Sequence, residues 1–518
     1  MEVINCPEKT LAVGGRAILS WPSLLMIQRL LLCVLLAILI LYSFTGEIIP
    51  YNNGLGWDGS RYYYYMANFE DLIVNQGIDS YRITRLLPFL LIRYVMQSVN
   101  VEITVNNVLI ASKIFNAFIL AILLIYFFKL SNVAKWNRFA EIIAFSFTFF
   151  NFPVLKFFGY YPLLTDCTAL LLSFMAVYYF FIKSYIGMAF VTLLSLVTWP
   201  ILSIITYVLA VFPRDRVEEI DTKSLFQRAI SLFVRVLFVS FIPLVLSFSI
   251  LRLHMDSPEL DVYHNVYKYR LPINFFWVLL ATVSVCSFYY FATKNLKINW
   301  DIFFRAFLKV TVLTRMVICG FLLAILYKGI SNLGGKAPWS SSLQILNMSS
   351  FPTTDVLIFL ETHFLYLGLF FVLIVLRWHK IIDYVKNYLG IGYFVVVLFA
   401  LFFIVDIETR KLTSFYPILL MPLMAVIKDI KFKKWVYYLI PICCLFCSFF
   451  WFNINTPDIV DAFNQTSTIY NIDSPAQRYF MFMGPWQSRT VYLIVSMVEL
   501  TLLFVIYLLH KRGMLYEE

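Results

Sequence analysis

Apolar runs, many of them as long as a bilayer crossing, alternate with short polar or basic loops along most of this chain. A transmembrane helix needs about 20 mainly apolar residues. Runs that fit are 24–45, 108–128, 139–157, 164–182, 229–251, 273–292, 306–328, 356–376, 388–405, 435–453 and 490–510. Two further apolar pieces are short or irregular: 413–427 and 187–212. The pattern predicts an all-α, polytopic integral membrane protein with about 12–14 transmembrane helices. It forms a single membrane domain over 1–518, with no separate soluble domain.

The polar segments orient these helices. Basic residues cluster at 129–138, 293–305, 377–386, 428–434 and in the tail at Lys511 and Arg512. Cytoplasmic loops carry the excess of Lys and Arg, so these loops and both termini are expected on the cytoplasmic side. The alternation holds only if 187–212 leaves and returns on one side. Two short helices broken at Thr198-Trp199-Pro200 would do this, because proline removes a helix donor and disfavours helix before it. Each half would be shorter than the hydrocarbon core. Broken helices at membrane depth persist only inside protein or beside a wet cavity, which implies a cavity near Trp199 open to the outside. The outer loops are then 46–107, about 158–164, 252–272, 329–355, 406–412 and 454–489. Within the first, 86–99 reads as an interfacial helix. The N-terminal run lacks a clean cleavage site after Leu30–Phe44 and reads as a retained signal anchor.

Composition agrees with the pattern. The chain of 518 residues is 61% hydrophobic and 14% charged, against about 25% charged for a soluble domain. The net charge of +11 follows from basic inner loops, so no nucleic-acid partner is implied. Seven of the eight cysteines lie in or beside apolar segments, which argues against a disulfide framework or a zinc site. No P-loop, dinucleotide fingerprint or nucleophile elbow occurs.

Candidate chemistry collects in the outer loops. The first carries GWDGSRYYYYMA and then YRITRLLP. Asp58-Gly59 suggests a tight turn holding a carboxylate at the mouth of the first helix. Tyr62 to Tyr65 give an amphipathic aromatic surface, although tyrosines also serve as interfacial anchors. Arg82 and Arg85 share a face if their segment is helical, and paired guanidiniums suit a phosphate or lipid headgroup. Asp166, in GYYPLLTD, reads either as a helix N-terminal residue or as a second carboxylate at the cavity, with Lys156 and Tyr160 near it. The short loop DIETRKLTSFYP holds Asp406, Glu408, Arg410 and Lys411, a phosphate clamp or simply a solvated turn. Arg315 lies inside a predicted span, where a charge tends to face a cavity or a partner. His254 and His264 share a loop with Asp256, Glu259 and Asp261, a weak metal pattern, and Asn347 and Asn464 begin glycosylation sequons.

GWDGSRYYYYMA, YRITRLLP, GYYPLLTD, the Thr198-Trp199-Pro200 break and DIETRKLTSFYP together resemble the GT-C superfamily of polytopic membrane glycosyltransferases. The resemblance is closest to bacterial members with a GYDGxxYY-type first outer loop, and it covers roughly 20–210 and 400–425. Trp57 stands where tyrosine is commoner, and the large outer domain of some members is missing.

The resemblance implies transfer of a sugar from a polyprenyl-phosphate donor to a glycan or lipid-linked acceptor. The transfer would invert configuration at the outer face of a bacterial inner membrane, among membrane lipids. It implies catalytic roles for Asp58 and, less directly, Asp166, with Arg82 and Arg85 as the basic pair. An inverting transfer needs a base for the acceptor hydroxyl and cations for the leaving phosphate. Asp58 would be that base. Arg82, Arg85, Arg410 and Lys156 are cation candidates, with Glu408 in the same short loop as Arg410. Tyr62, Tyr63, Tyr160 and Trp199 would contact sugar or prenyl chain. No cofactor is called for, and divalent-metal dependence stays open. A lipid-linked oligosaccharide flippase or other transporter, or an O-antigen-type polymerase, remains an alternative.

Overall fold

A computed structural model describes residues 21–217, 224–256, 275–335, 356–455 and 489–515, apart from the single positions 295, 297, 407 and 429. The described residues are helical, with no β-strand among them. Six helices are long and apolar enough to cross a membrane: Leu25–Thr45, Val105–Ala134, Leu225–Ser249, Phe275–Thr293, Val310–Asn332 and Thr409–Ile427. A seventh span arises if Arg138–Phe149 and Pro153–Tyr160, bent by 48°, are one crossing. This is the architecture of an integral membrane protein.

Six more apolar helices, Asp166–Phe181, Tyr185–Leu196, Pro200–Val211, Ile358–Leu367, Ile391–Ile404 and Lys434–Cys447, are only 10–16 residues long, which accounts for most of the difference from a count made on apolar runs. A helix rises about 1.5 Å per residue, so helices of that length fall short of the ~30 Å hydrocarbon core. Several of these runs are interrupted at identifiable residues. The apolar run 139–157 breaks at Phe150-Asn151-Phe152, where Asn151 Oδ1 accepts from Val154 N at 3.0 Å and Pro153 starts the next turn. The run 356–376 divides into Ile358–Leu367 and Leu369–Tyr384 around Gly368, whose φ of +59° is glycine territory. The run 187–212 is a helical hairpin, Tyr185–Leu196 and Pro200–Val211, joined across its interior by Thr192 Oγ1 and Thr206 Oγ1 at 2.8 Å.

Burial sorts the helices into core and rim. Asp166–Phe181, Ile358–Leu367, Ile391–Ile404 and Tyr416–Ile427 are buried along most of their length. The flanking helices Trp21–Thr45 and Val310–Asn332 expose Leu30, Leu31, Leu41, Val317 and Phe321. An apolar exposed face is stable only in lipid, so these helices form the lipid-facing rim.

Backbone hydrogen bonds show which loops share an end of the bundle. At one end, Ile49 N donates to Tyr160 O (3.0 Å), Leu87 N to Val197 O (3.1 Å), and Gly335 N to Ile78 O (2.7 Å). At the other, Val217 N donates to Lys386 O (3.1 Å), Ile391 N to Asp215 O (3.0 Å), and Lys433 N to Leu515 O (3.1 Å). The first end gathers the long loop 46–104, the 198–200 break and the 405–410 segment. The second gathers the basic loops.

Candidate active site

The long first loop is not extended. It folds into Gly56–Ala67, Phe69–Val74, a single turn Ser80–Ile83, and Leu87–Ser98. Asp58 therefore sits in the first turn of a helix rather than in a tight Asp-Gly turn. The positive-φ glycines are Gly54 (+94°) and Gly56 (+69°), just upstream, and not Gly59. A carboxylate is favoured at that position by the partial positive charge of the helix start. A Cβ on Gly56 would meet the Tyr161 ring at 2.5 Å, so the glycine permits the close approach as well as the turn.

Helical periodicity then separates the four tyrosines. Tyr62 and Tyr65, three apart, are buried, while Tyr64 is exposed. Tyr62 stacks on Phe89 with ring centroids 4.1 Å apart. Tyr63 turns away from the site, its hydroxyl donating to Ile103 O at 3.4 Å. Tyr65 donates to Asp79 Oδ2 at 2.9 Å.

Asp79, which the sequence did not single out, organises the basic pair. It caps the Ser80–Ile83 turn by accepting from Arg82 N at 2.8 Å, and its Oδ2 accepts from Arg82 Nη1 at 2.9 Å. Arg82 Nη2 in turn lies 3.3 Å from Asp58 Oδ1. These neighbouring carboxylates hold the Arg82 guanidinium above its ordinary pKa against the opposing pull of burial. The helical turn is too short to put Arg82 and Arg85 on one helix face. Both still reach the site: Arg85 lies over the Tyr81 ring at 4.2 Å and the Trp199 ring at 4.7 Å. Its Nε is buried with no hydrogen-bond partner among the described residues, and no carboxylate there pairs with it.

The opposite wall comes from two distant segments. Asp166 begins the helix Asp166–Phe181 and is fully buried. Its Oδ1 accepts from Arg410 Nε at 2.9 Å, and its Oδ2 has no hydrogen-bond partner among the described residues. Arg410 Nη1 stands 4.0 Å from Asp58 Oδ2 and 4.0 Å from Glu408 Oε1. One guanidinium is thus shared among three carboxylates from three parts of the chain. Glu408 also pairs with Lys411 (3.1 Å), which reaches Asp406 at 2.6 Å. Burial works against the Glu408 charge, but Lys411 and Arg410 outweigh it and hold its pKa below the ordinary value. Burial dominates at Asp406 and raises it. Glu408 accordingly holds the loop and Arg410 in shape.

Tyr161, unmarked in the sequence reading, receives Asp58 N at 2.8 Å and Gly59 N at 3.3 Å on its hydroxyl. Burial and the Asp58 charge push this phenol upward, so it stays protonated. His363, on Ile358–Leu367, bridges Thr409 Oγ1 (2.8 Å) and Ile404 O (2.6 Å) and anchors the segment carrying Arg410.

Lys156 and Tyr160 are not brought to this cluster. Lys156 Nζ lies 2.5 Å from Glu47 Oε1, and Glu47 also accepts from Ile454 N (2.6 Å) and Asn455 N (2.7 Å). Tyr160 donates to Asn455 Oδ1 at 2.7 Å. These contacts tie the start of the first loop to residues 454–455. The spacing of Lys156 and Tyr160 to Asp166 in sequence carried no sign of Glu47, 109 positions from Lys156.

Among the described residues, no group of three or more His, Cys, Asp or Glu is placed to hold a metal ion. The loop with His264, Glu259 and Asp261 and both sequon asparagines lie outside the described residues, as does Cys6. The seven described cysteines are unpaired. No family model, curated protein or solved structure matches this chain.

The arrangement has the parts of an acid–base and anion-binding site. Asp58 has a carboxylate 37% exposed, whereas Asp166 is at 0% and Asp79 at 9%. Of these three carboxylates Asp58 is the one an incoming group can reach, while Asp166 and Asp79 are engaged with Arg410 and Arg82. Arg85 is the cation of this cluster that makes no ion pair among the described residues.

Proposed function

We propose that this chain is a GT-C-like membrane glycosyltransferase that uses a polyprenyl-phosphate sugar donor and a glycan or lipid-linked acceptor. Asp58 takes the proton of the acceptor hydroxyl as its oxygen attacks the anomeric carbon. The bond from that carbon to the carrier phosphate oxygen breaks, and the configuration inverts. The charge left on the phosphate falls to Arg85 and Arg82, with Arg410 behind them. Fixed guanidiniums in a water-poor site stabilise such developing charge without reorganising. Trp199 and Tyr81 sandwich Arg85 and present aromatic faces beside it.

The observation that supports this reading best is the convergence on Asp58 of Arg82 and Arg410, 24 and 352 positions away in the chain. In this reading the short helices count with the long ones as membrane elements, about 12–14 in all. Both termini are cytoplasmic, and the Asp58 end faces the outside of a bacterial inner membrane. The basic loops at the opposite end support that orientation.

The test uses purified protein in detergent, polyprenyl-phosphate sugars carrying labelled hexoses or pentoses, and a membrane lipid-glycan extract. Label should move to the acceptor with the wild type and not with Asp58→Asn. Absence of both transfer and donor hydrolysis in folded wild type would discard the reading in favour of a transporter or polymerase.

A further inference from the structure

Arg315 is a charge inside a spanning helix that the Asp58 cluster does not use. It is the sixth residue of Val310–Asn332, about 7.5 Å along the axis from the helix start at 1.5 Å per residue. The start of that helix lies at the basic end of the bundle. Two contacts fix it there. Lys309 Nζ pairs with Asp215 Oδ1 at 2.8 Å, and Tyr207 donates to Met316 O at 2.7 Å. Residues 207–215 and 309–316 therefore run antiparallel. Side chains on a helix lean toward its N-terminus, so Arg315 leads back toward the level of Arg214.

Arg214 follows the helix Pro200–Val211 and is half-buried over the Phe180 ring at 4.5 Å and the Tyr185 ring at 5.7 Å. Burial, followed by the nearby Arg315 charge, lowers its pKa although Tyr185 opposes this. Neither arginine has a carboxylate partner among the described residues, since Asp215 is engaged by Lys309. Arg315 Nε is buried and has no hydrogen-bond partner among the described residues. Two like charges brought to one level of the bundle in a partly dry setting repel each other and keep unused donors. A bound anion relieves both costs.

We propose that Arg214 and Arg315 form a phosphate-binding site at the end of the bundle opposite Asp58, taking either an anionic phospholipid headgroup or free phosphate. Guanidiniums on aromatic supports suit a phosphate because their donor geometry matches its oxygens. Its occupant would brace the peripheral helix Val310–Asn332 against Pro200–Val211.

The experiment follows thermal unfolding of the full chain in neutral detergent during titration with phosphatidylglycerol, phosphatidylcholine or inorganic phosphate. Phosphatidylglycerol is expected to raise the midpoint of the wild type. Its apparent affinity should fall about tenfold or more in Arg214→Gln and in Arg315→Gln, the effect of losing a hydrogen bond to a charged group. Lys434→Gln, an exposed lysine at the same end of the bundle, should leave the affinity unchanged. An equal rise with inorganic phosphate identifies free phosphate as the ligand. No rise with either, or the same rise in the double glutamine variant, overturns the proposal. If the glutamine variants do not fold, native mass spectrometry of the wild type decides. Preferential retention of phosphatidylglycerol over phosphatidylcholine, or retention of phosphate itself, supports the site, and equal retention of the two lipids without bound phosphate overturns it.

Discussion

The Asp58 cluster and the two arginines Arg214 and Arg315 at the opposite end of the bundle handle positive charge in opposite ways. At the Asp58 end, Arg82 and Arg410 are each held by at least two carboxylates, and Lys411 by Asp406 and by Glu408, which it shares with Arg410. At the other end, Arg29 and Lys386 pair with Glu141 and Asp383, but Arg214 and Arg315 have no acidic partner among the described residues, and Lys309 has a pair that is about half exposed. A paired, buried guanidinium is fixed in place, which is what a site must do to meet a charge that appears only during reaction. An unpaired one near the membrane surface waits for an anion from outside the chain. Arg85 is the exception at the first end: among the described residues it is placed by the Tyr81 and Trp199 rings rather than by an ion pair.

The largest expected effect separates reactive from positioning acids. Asp58→Asn should cut sugar transfer by roughly 10²–10⁴-fold, the range for removing a general base, while circular dichroism and detergent unfolding stay near wild type. Equal losses of fold and activity would move Asp58 to the structural group.

Next comes the buried pair. Arg410→Ala leaves Asp166 as an uncompensated buried charge and should destabilise the chain by about 3–5 kcal/mol, measured by chemical unfolding in detergent. Arg410→Gln with Asp166→Asn should regain most of that stability and none of the activity. Recovery of activity as well would show that Arg410 serves only the fold.

Arg85→Lys sharpens the contrast between ring-placed and acid-placed cations. Lysine keeps the charge but loses the planar stacking on Tyr81 and Trp199. A cation–π contact is worth about 0.5–2 kcal/mol, so donor affinity should fall roughly 2- to 30-fold with little change in stability. A larger loss of stability than of affinity would mean that Arg85 serves as core packing.

A smaller effect is expected from pH. Glu408 is held below the ordinary carboxylate value by Lys411 and Arg410. Its contribution to stability is complete above the unfolded value of about 4.3 and is lost as pH falls through the depressed folded value. Glu408→Gln should flatten the acid limb of a stability–pH curve and leave the neutral limb lower but level. An unchanged acid limb would remove Glu408 from the charge cluster. Lys156→Met should be the mildest for activity. It breaks the Glu47 tie and costs about 1–3 kcal/mol of stability, with turnover per folded molecule unchanged.

The membrane class, the helical architecture and the identity of the polar segments were legible in the chain, because bilayer solvation allows few other readings of long apolar runs. The break at Thr198-Trp199-Pro200 was legible too, since proline acts locally. Other breaks were not: Asn151 and Gly368 sit in apolar runs with the hydropathy of unbroken spans, and their effect is geometric. The sequence marked Asp58, Asp166, Arg82, Arg85 and Arg410 as chemically able residues, but it could not say which carboxylate is reachable. Only the tertiary structure decided that Asp166 is buried beneath Arg410 and that Asp79 orients Arg82. It also sent Lys156 to Glu47 instead of the site. The physical reason is that residue type and period are local properties. The pairing of charges depends on which loops the packed helices bring to the same end, and no local pattern encodes a partner hundreds of positions away.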